Sequence, residues 1–234
     1  MKSIDLKQLA AQYGLKISTL AHRMINNSDL AKEAAQEVWI QIIKSIDTFR
    51  GESEIGTWIY IIAKRTILQY ARHERIYSDT DIDGHFDLEP IDYTGSDEEK
   101  KEWVKQKCDS CLTAFCHCLN NESRLIFLLH FIAALDYSEI SDIMELQEDN
   151  VRQIIFRSKE KIKHFMNRNC VLYNPDGECR CRIRKHVLDV DLDKVYRKFE
   201  NLVNFYEEFD KNLPRKNYSE KVLSELSQNG IMLH

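Results

Sequence analysis

Hydrophobic residues recur at helical spacing along most of this 234-residue chain. In one segment they occupy positions 34, 38, 42 and 46, so a helix that begins near Asn27–Asp29 carries them on one face. Asn, Ser and Asp are the residue types that accept hydrogen bonds from the free amides of a first helical turn. No segment of weight has the two-residue period of a half-buried strand, and the chain has seven Gly and three Pro. The pattern predicts an all-α protein.

The same spacing predicts the other helices and their ends. Asp5 to Tyr13 is predicted to form a short helix that ends at Gly14, and helical structure continues from Ile17 to Asn26. Ser138 is predicted to cap a short helix before the turn Glu145–Gln147. The remaining helices are predicted near residues 55–75, 97–119, 122–133, 149–167 and, as an amphipathic helix, 192–209.

Charge is distributed unevenly along the chain, although the formal net charge is only −5. Residues 79–102 contain ten acidic and two basic side chains, with Gly84, Pro90 and Gly95 close by, which is typical of a linker. Residues 166–198 contain eight basic and five acidic side chains. We predict one helical domain at residues 1–77, an acidic linker at 78–103, a second helical domain at 104–168 and a C-terminal helical extension at 169–234.

Several classes of protein do not fit this sequence. No apolar run reaches the ~18 residues that a membrane-spanning helix needs, and the N-terminus lacks the apolar core of a signal peptide. We therefore expect a cytoplasmic protein without membrane insertion. No nucleophile–base pair, phosphate-binding loop or paired-carboxylate pattern stands out, so we do not expect an enzyme.

Residues 138–164 fit a helix-turn-helix by their own pattern. The turn lies at Glu145, where such units usually have Gly, and a non-Gly residue with positive φ is mildly costly there. The second helix of such a unit enters the major groove through its N-terminal part, where Arg suits guanine or phosphate and Gln suits adenine. The candidate DNA-binding residues at that end are Asn150, Arg152, Gln153, Phe156, Arg157 and Lys159.

Two separated parts of the chain carry the motifs of one known family. The first part comprises LAKEAAQEVW (30–39), FRGES (49–53) and TWIYIIAKRTILQYAR (57–72), and the second is the helix-turn-helix. Together, in this order, they resemble regions 2 and 4 of the small bacterial sigma factors of the extracytoplasmic-function group. The resemblance implies that the second part reads the −35 promoter element, and that the FRGES loop with its following helix captures a base flipped from the −10 element. It also implies binding to core RNA polymerase through Glu33, Gln36, Glu37 and Trp39.

The −10 contacts follow from this resemblance together with the charge pattern. Gly51 lets the backbone approach a base closely, and Arg50 can meet a phosphate. Trp58 is either a core residue or a stacking platform. Arg65 stands where the family commonly has Asn, which predicts an unusual base preference. The candidate set is Phe49, Arg50, Gly51, Glu52, Ser53, Trp58, Lys64, Arg65, Arg72 and Arg75.

Three cysteines flank an Asn-Pro-Asp-Gly turn in CVLYNPDGECRCR, which resembles the C-terminal extensions of some sigma factors with a Cys-Arg-Cys-Arg signature. Cys170, Cys179 and Cys181 are predicted to hold one structural zinc ion, with His186, Cys116 or Cys118 as the fourth ligand. Reduced, metal-free cysteines and a redox or copper sensor remain alternative interpretations.

The predicted function is a sigma factor that directs core RNA polymerase to promoter DNA and helps to melt the −10 strand. An anti-sigma factor or another regulatory protein is expected as a partner of the C-terminal extension. The alternative is a metal- or redox-responsive helix-turn-helix regulator that acts without core polymerase. The FRGES loop discriminates between the two, since such a regulator has no use for it.

Overall fold

The computed structural model of the protein describes residues 5–78 and 93–169, together with Asp176 and His186. All the regular elements in these ranges are helical, which confirms the all-α prediction. None of the described helices is long and apolar enough to cross a membrane. The predicted helix at 192–209 and most of the predicted linker lie outside the described residues. The helices are α1 (Leu6–Met24), α2 (Ser28–Ser45), α3 (Ile55–Tyr70), α4 (Asp97–Cys116), α5 (Asn121–Phe131), α6 (Tyr137–Met144) and α7 (Glu148–Asn169).

Short polar side chains start several of these helices. The side chain of Asn27 accepts hydrogen bonds from the amides of Asp29 and Leu30, as predicted for the start of α2. The predicted cap of α6 was wrong, because Asp136 rather than Ser138 accepts from the amide of Glu139. The Glu139 side chain in turn accepts from the Asp136 amide, which completes a capping box that satisfies two otherwise free donors.

The predicted break at Gly14 was also wrong, because α1 runs through this residue without interruption. Gly14 is buried in the middle of the helix, and the nearest heavy atom to a Cβ built there is Trp39 Cζ2 of α2, at 4.0 Å. A helical Gly costs about 1 kcal/mol relative to Ala, while each large apolar side chain buried between α1 and α2 contributes about 1.5–3 kcal/mol. Burial of the apolar side chains before and after Gly14 therefore outweighs the low intrinsic helix preference of Gly.

One compact unit contains α1, α2, α3 and α6, since the described parts of this unit are residues 5–74 and 128–152. Its core is made of apolar side chains from all four helices, among them Ile17, Leu20, Val38, Ile42, Ile59, Ile67, Ile140 and Ile143. The first helix of the helix-turn-helix thus packs against α3 of the N-terminal part. The predicted domain boundaries stay a prediction.

A second compact unit contains α4 and most of α7, with residues 75–78, 93–127 and 153–169 among its described parts. Phe115 and Phe165 meet edge to face, with ring centroids 5.8 Å apart. Arg124, in the first turn of α5, is fully buried and donates to the Leu119 carbonyl oxygen at 3.0 Å. His117 is also fully buried, and its Nε2 lies 3.2 Å from an Arg124 Nη1. Because a guanidinium can only donate, Nε2 must accept, and His117 is therefore neutral.

Candidate nucleic-acid interface

Helix α7 separates a buried stripe from an exposed polar face. Val151, Ile155 and Ile162 face the interior, at 0, 4 and 0% exposure. The opposite side carries the predicted −35 residues: Asn150, Arg152, Gln153, Phe156 and Arg157 are exposed, and Lys159 is half-buried. Phe156 is 66% exposed, which is unusual for a large apolar side chain. The N-terminal turns of α7 thus present hydrogen-bonding, cationic and apolar groups on one accessible face.

Arg152 on this face has a fixed position. Its guanidinium carbon lies 4.6 Å from the centroid of the Tyr137 ring, and Nη2 donates to the Glu148 carboxylate one turn earlier. This hydrogen bond to the Glu148 carboxylate raises the pKa of Arg152. Tyr137 also stacks on His130, at 4.9 Å between centroids. Sequence reasoning missed Tyr137, because no local pattern connects the first residue of α6 to a side chain on α7.

The turn between α6 and α7 contains a residue in the left-handed conformation. Glu145 has φ +59°, which is the position where Gly is expected in a helix-turn-helix. Its amide donates to the Ser141 carbonyl oxygen, and its carboxylate pairs with Lys64 Nζ of α3 at 3.2 Å. The pairing joins residues 81 positions apart, so no spacing rule could have predicted it.

The predicted −10 loop lies between α2 and α3. Phe49 and Trp58 pack against each other with ring centroids 5.4 Å apart, and both are half-buried. Gly51 has φ +74°, and a Cβ built there would meet nothing within 4 Å. Arg50, Glu52 and Ser53 are exposed. Trp58 therefore supports the loop from one side, while the backbone at Gly51 stays open to an approaching group.

The predicted −10 set contains four basic side chains on and just after α3 that could meet phosphate, and they differ in accessibility: Lys64, Arg65, Arg72 and Arg75. Arg65, Arg72 and Arg75 are exposed, and Arg72 Nε donates to His73 Nε2 at 2.9 Å. The Lys64 side chain is only 13% exposed and is held by Glu145. Three of these four basic side chains are thus accessible to a phosphate, and the fourth, Lys64, is largely covered.

The predicted polymerase-binding residues on α2 also differ in exposure. Glu33 is exposed and accepts a hydrogen bond from Tyr70 Oη at 3.2 Å, while Gln36 and Glu37 are half-buried. Trp39 is 2% exposed. The Trp39 side chain therefore supports α2 from the interior, and direct contact of its ring with a partner does not fit this burial.

The predicted metal ligands fall largely outside the described residues, since Cys170, Cys179 and Cys181 all lie there. His186 is buried, with its ring 5.4 Å from that of Trp103 in an edge-to-face contact. Cys116 and Cys118 are buried as well. Among the side chains that the structure describes, no three from His, Cys, Asp or Glu are grouped closely enough to hold a metal ion. The zinc site stays a prediction.

Comparison with known proteins identifies both halves of the chain. Residues 9–76 match the family Sigma-70 region 2, and residues 111–162 match Sigma-70, region 4. The chain is 25% identical over 170 residues to RNA polymerase sigma factor YlaC of Bacillus subtilis, covering 72% of this chain and 96% of that protein. It is 29% identical over 161 residues to the ECF RNA polymerase sigma-E factor of Haemophilus influenzae, covering 67% and 84% respectively.

A solved structure, that of CnrH in complex with the cytosolic domain of CnrY, has the same fold, with a TM-score of 0.53 and 14% identity over 68% of this chain and 86% of that one. The alternative, a helix-turn-helix regulator that acts without polymerase, would explain the match to region 4. It would not explain the match to region 2. The chain belongs to the extracytoplasmic-function group of bacterial RNA polymerase sigma factors, and it directs RNA polymerase to promoters.

Proposed function

We propose that the exposed N-terminal face of α7 reads the −35 element, and that the FRGES loop with α3 captures the −10 strand. The observation that carries this proposal is the composition of the α7 face, where an amide, two guanidinium groups and an exposed aromatic ring lie within two helical turns. A major groove admits one helix and offers each of these groups a partner on a base edge.

We propose a different role for each of four side chains on this face, which are Arg152, Gln153, Phe156 and Arg157. Arg152 is already held by Glu148 and Tyr137, so it reaches DNA with little further loss of side-chain entropy. Gln153 suits the edge of an adenine, and the Phe156 ring suits a thymine methyl group. Arg157 has no ion pair among the described residues, and it suits a guanine edge or a phosphate.

At the −10 element, the proposed steps use the open backbone at Gly51 and the aromatic pair behind it. A base that leaves the stack costs a few kcal/mol, which stacking and phosphate contacts must offset. Phe49 and Trp58 support the loop, and the exposed Arg50 and Arg65 are available for phosphates or base edges. This division leaves the chain in a recognition role, with the chemistry of RNA synthesis in the polymerase.

For binding to core polymerase we propose the exposed side of α2, with Glu33, Gln36 and Glu37. Polymerase and promoter both lie in the bacterial cytoplasm, so the proposal implies a cytoplasmic site of action. A regulatory protein, such as an anti-sigma factor, is proposed as a partner of the C-terminal extension. The similar CnrH was solved in complex with the cytosolic domain of CnrY, which supports a protein partner for a chain of this fold. One zinc ion at Cys170, Cys179 and Cys181 remains part of the proposal.

The −35 assignment is tested with Gln153→Ala and Arg157→Ala in the polymerase holoenzyme, on promoters substituted at each −35 base pair. A lost base contact should cost about 1–3 kcal/mol at one base pair and relax specificity there. Lys163→Ala is the matched control, because Lys163 is exposed on the same helix but lies beyond its N-terminal part. Unchanged base specificity in both variants would show that α7 does not read the −35 element.

A further inference from the structure

A row of stacked side chains connects the end of α5 to the exposed start of α7. His130, in the last turn of α5, stacks on Tyr137, with 4.9 Å between ring centroids and 26° between the ring planes. The Tyr137 centroid in turn lies 4.6 Å from the guanidinium carbon of Arg152. All three residues belong to one compact unit. A continuous series of contacts therefore runs from α5 to a side chain that we propose to read the −35 element.

The orientation of the His130 ring is fixed by two further contacts. Its Nδ1 lies 2.8 Å from the carbonyl oxygen of Leu135, and because a carbonyl can only accept, this nitrogen carries a proton. The ring also meets the buried ring of Phe131 edge to face, with 4.7 Å between centroids. A hydrogen bond and a packed neighbour together hold the imidazole plane in place before it meets Tyr137.

The Tyr137 ring depends on this support. Tyr137 is the first residue of α6 and is half-buried, so its side chain has no preceding helical turn to pack on. The capping box of Asp136 and Glu139 fixes the backbone at this point and leaves the side-chain torsions of Tyr137 free. Among the described residues, the groups that stack on the ring are His130 and Arg152. The imidazole thus sets where the tyrosine ring lies.

Arg152 depends on Tyr137 in the same way, because its other partner holds it weakly. The pair of Arg152 with Glu148 is an (i, i+4) ion pair whose side chains are 55% and 43% exposed. Such pairs contribute little in water and are screened by salt. DNA phosphates also repel the Glu148 carboxylate, whereas an aromatic face keeps its attraction for a cation. The Tyr137 ring is therefore the contact that keeps Arg152 oriented beside DNA.

We propose that His130 is a positioning residue for −35 recognition, which acts by holding the Tyr137 ring against Arg152. A guanidinium that is already oriented loses less side-chain entropy when it meets a base edge, so a correct contact retains more of its free energy. Phosphate contacts carry no sequence information directly and tolerate a mobile cation. The effect of His130 therefore falls on base specificity. This inference rests on the proposed assignment of Arg152 to the −35 element.

His130→Asn tests the stack while it keeps the hydrogen bond. The Asn amide nitrogen takes the place of Nδ1 and can donate to Leu135, but the ring face is lost. The quantity measured is the specificity ratio, which is the affinity of the holoenzyme for the preferred promoter divided by its affinity for a promoter substituted at the −35 base pair that Arg152→Ala identifies. His130→Asn should lower this ratio about two- to five-fold.

His22→Asn is the matched control and should leave the specificity ratio unchanged. His22 lies on α1 and is half-buried like His130, and its Nδ1 lies 2.9 Å from the carbonyl oxygen of Ser18. No described aromatic ring packs on it, so the same substitution removes an imidazole without removing a stack. An equal fall of the ratio in His22→Asn and His130→Asn would contradict the proposal.

Two further variants distinguish positioning from a direct contact of His130 with DNA. His130→Phe keeps a flat ring beside Tyr137 and should restore most of the specificity ratio. His130→Asn in an Arg152→Ala background should have no further effect on the ratio, because the group that it positions is gone. Additive losses in the double variant, or a His130→Phe variant as weak as His130→Asn, would overturn the proposal.

A measurement on the free full-length chain separates this inference from the proposed function. Arg152 protons close to the face of the Tyr137 ring feel its ring current, so their NMR resonances differ from those of a mobile arginine; Arg152→Lys identifies them. His130→Asn should move these resonances to the mobile position, and His130→Phe should not. Unchanged resonances in His130→Asn would overturn the inference whether or not α7 reads the −35 element. If the resonances move but Arg152→Ala keeps the wild-type specificity, the −35 assignment of Arg152 fails, and the role of His130 in recognition fails with it.

Discussion

Arg152 at the start of α7 lies over the ring of Tyr137 at the start of α6, with its guanidinium carbon 4.6 Å from the ring centroid. The same guanidinium donates to Glu148, so an aromatic face and a carboxylate hold it in one orientation. This arrangement places a cation at the N-terminal end of the recognition helix in the free chain. The two helices of the motif are thereby joined at one of the side chains that we propose to read the −35 element.

Tyr137→Ala should therefore weaken promoter binding by the holoenzyme about two- to five-fold, because Arg152 loses the ring that orients it. Tyr137→Phe keeps the ring and should bind as the wild type does. Binding is measured by competition between promoter fragments with and without a −35 element. An equal loss on both fragments would mean that Tyr137 acts on stability and has no part in orienting Arg152.

The buried pair His117–Arg124 predicts a pH dependence of stability. Burial, assisted by the neighbouring Arg124, lowers the pKa of His117 to about 3. An unfolded His takes up a proton near pH 6.5, so unfolding binds one extra proton between about pH 6.5 and about pH 3. The free energy of unfolding should fall as the pH is lowered through this window, and His117 should contribute no pH dependence above it.

Calorimetric unfolding between pH 4 and 8 checks this prediction, with His117→Gln as the comparison. The Gln amide oxygen can accept from Arg124 and does not titrate, so the variant should lose stability less steeply on acidification. Carboxylates titrate in both proteins, and their contribution cancels in the difference. Parallel curves for the two proteins would show that His117 is not the responsible group.

The zinc prediction concerns Cys170, Cys179 and Cys181. Metal analysis of the protein purified without added zinc should give about one equivalent, because three thiolates and one further ligand complete a tetrahedral site. Cys179→Ser should lose the metal. A zinc content below ~0.2 equivalents per chain, with the fold intact, would leave buried or redox-active cysteines as the better interpretation.

The helices were predictable from the sequence wherever a local rule applied. Asn27 caps α2 as its side-chain chemistry indicates, and the interruption at residues 49–53 follows from Gly51 and its polar neighbours. The predicted helix end at Gly14 was wrong, because α1 continues through it with buried apolar residues on both sides. At the start of α6, the spacing of Asp136 and Glu139 is itself a capping-box signature, so the prediction of Ser138 as the cap was wrong although a local pattern was present.

The residues of the candidate interface could be predicted from the sequence, but the contacts between their side chains could not. The exposed face of α7 follows from helical spacing, which separates Arg152 and Phe156 from the buried Val151 and Ile155. The contacts of Arg152 with Tyr137, and of Lys64 with Glu145, depend on packing between segments that no periodicity connects. The burial of Trp39 also depends on packing between helices, since its ring lies close to Gly14 of α1.

Promoter selection is tested most directly by reconstituting the full-length chain with core RNA polymerase and sequencing the 5′ ends of the transcripts. We expect initiation at a defined set of sites that share sequence elements near −35 and −10, and we expect Arg157→Ala to alter the bases tolerated near −35. Failure to bind core polymerase, combined with tight sequence-specific duplex binding by the isolated chain, would contradict this function and favour a plain helix-turn-helix regulator.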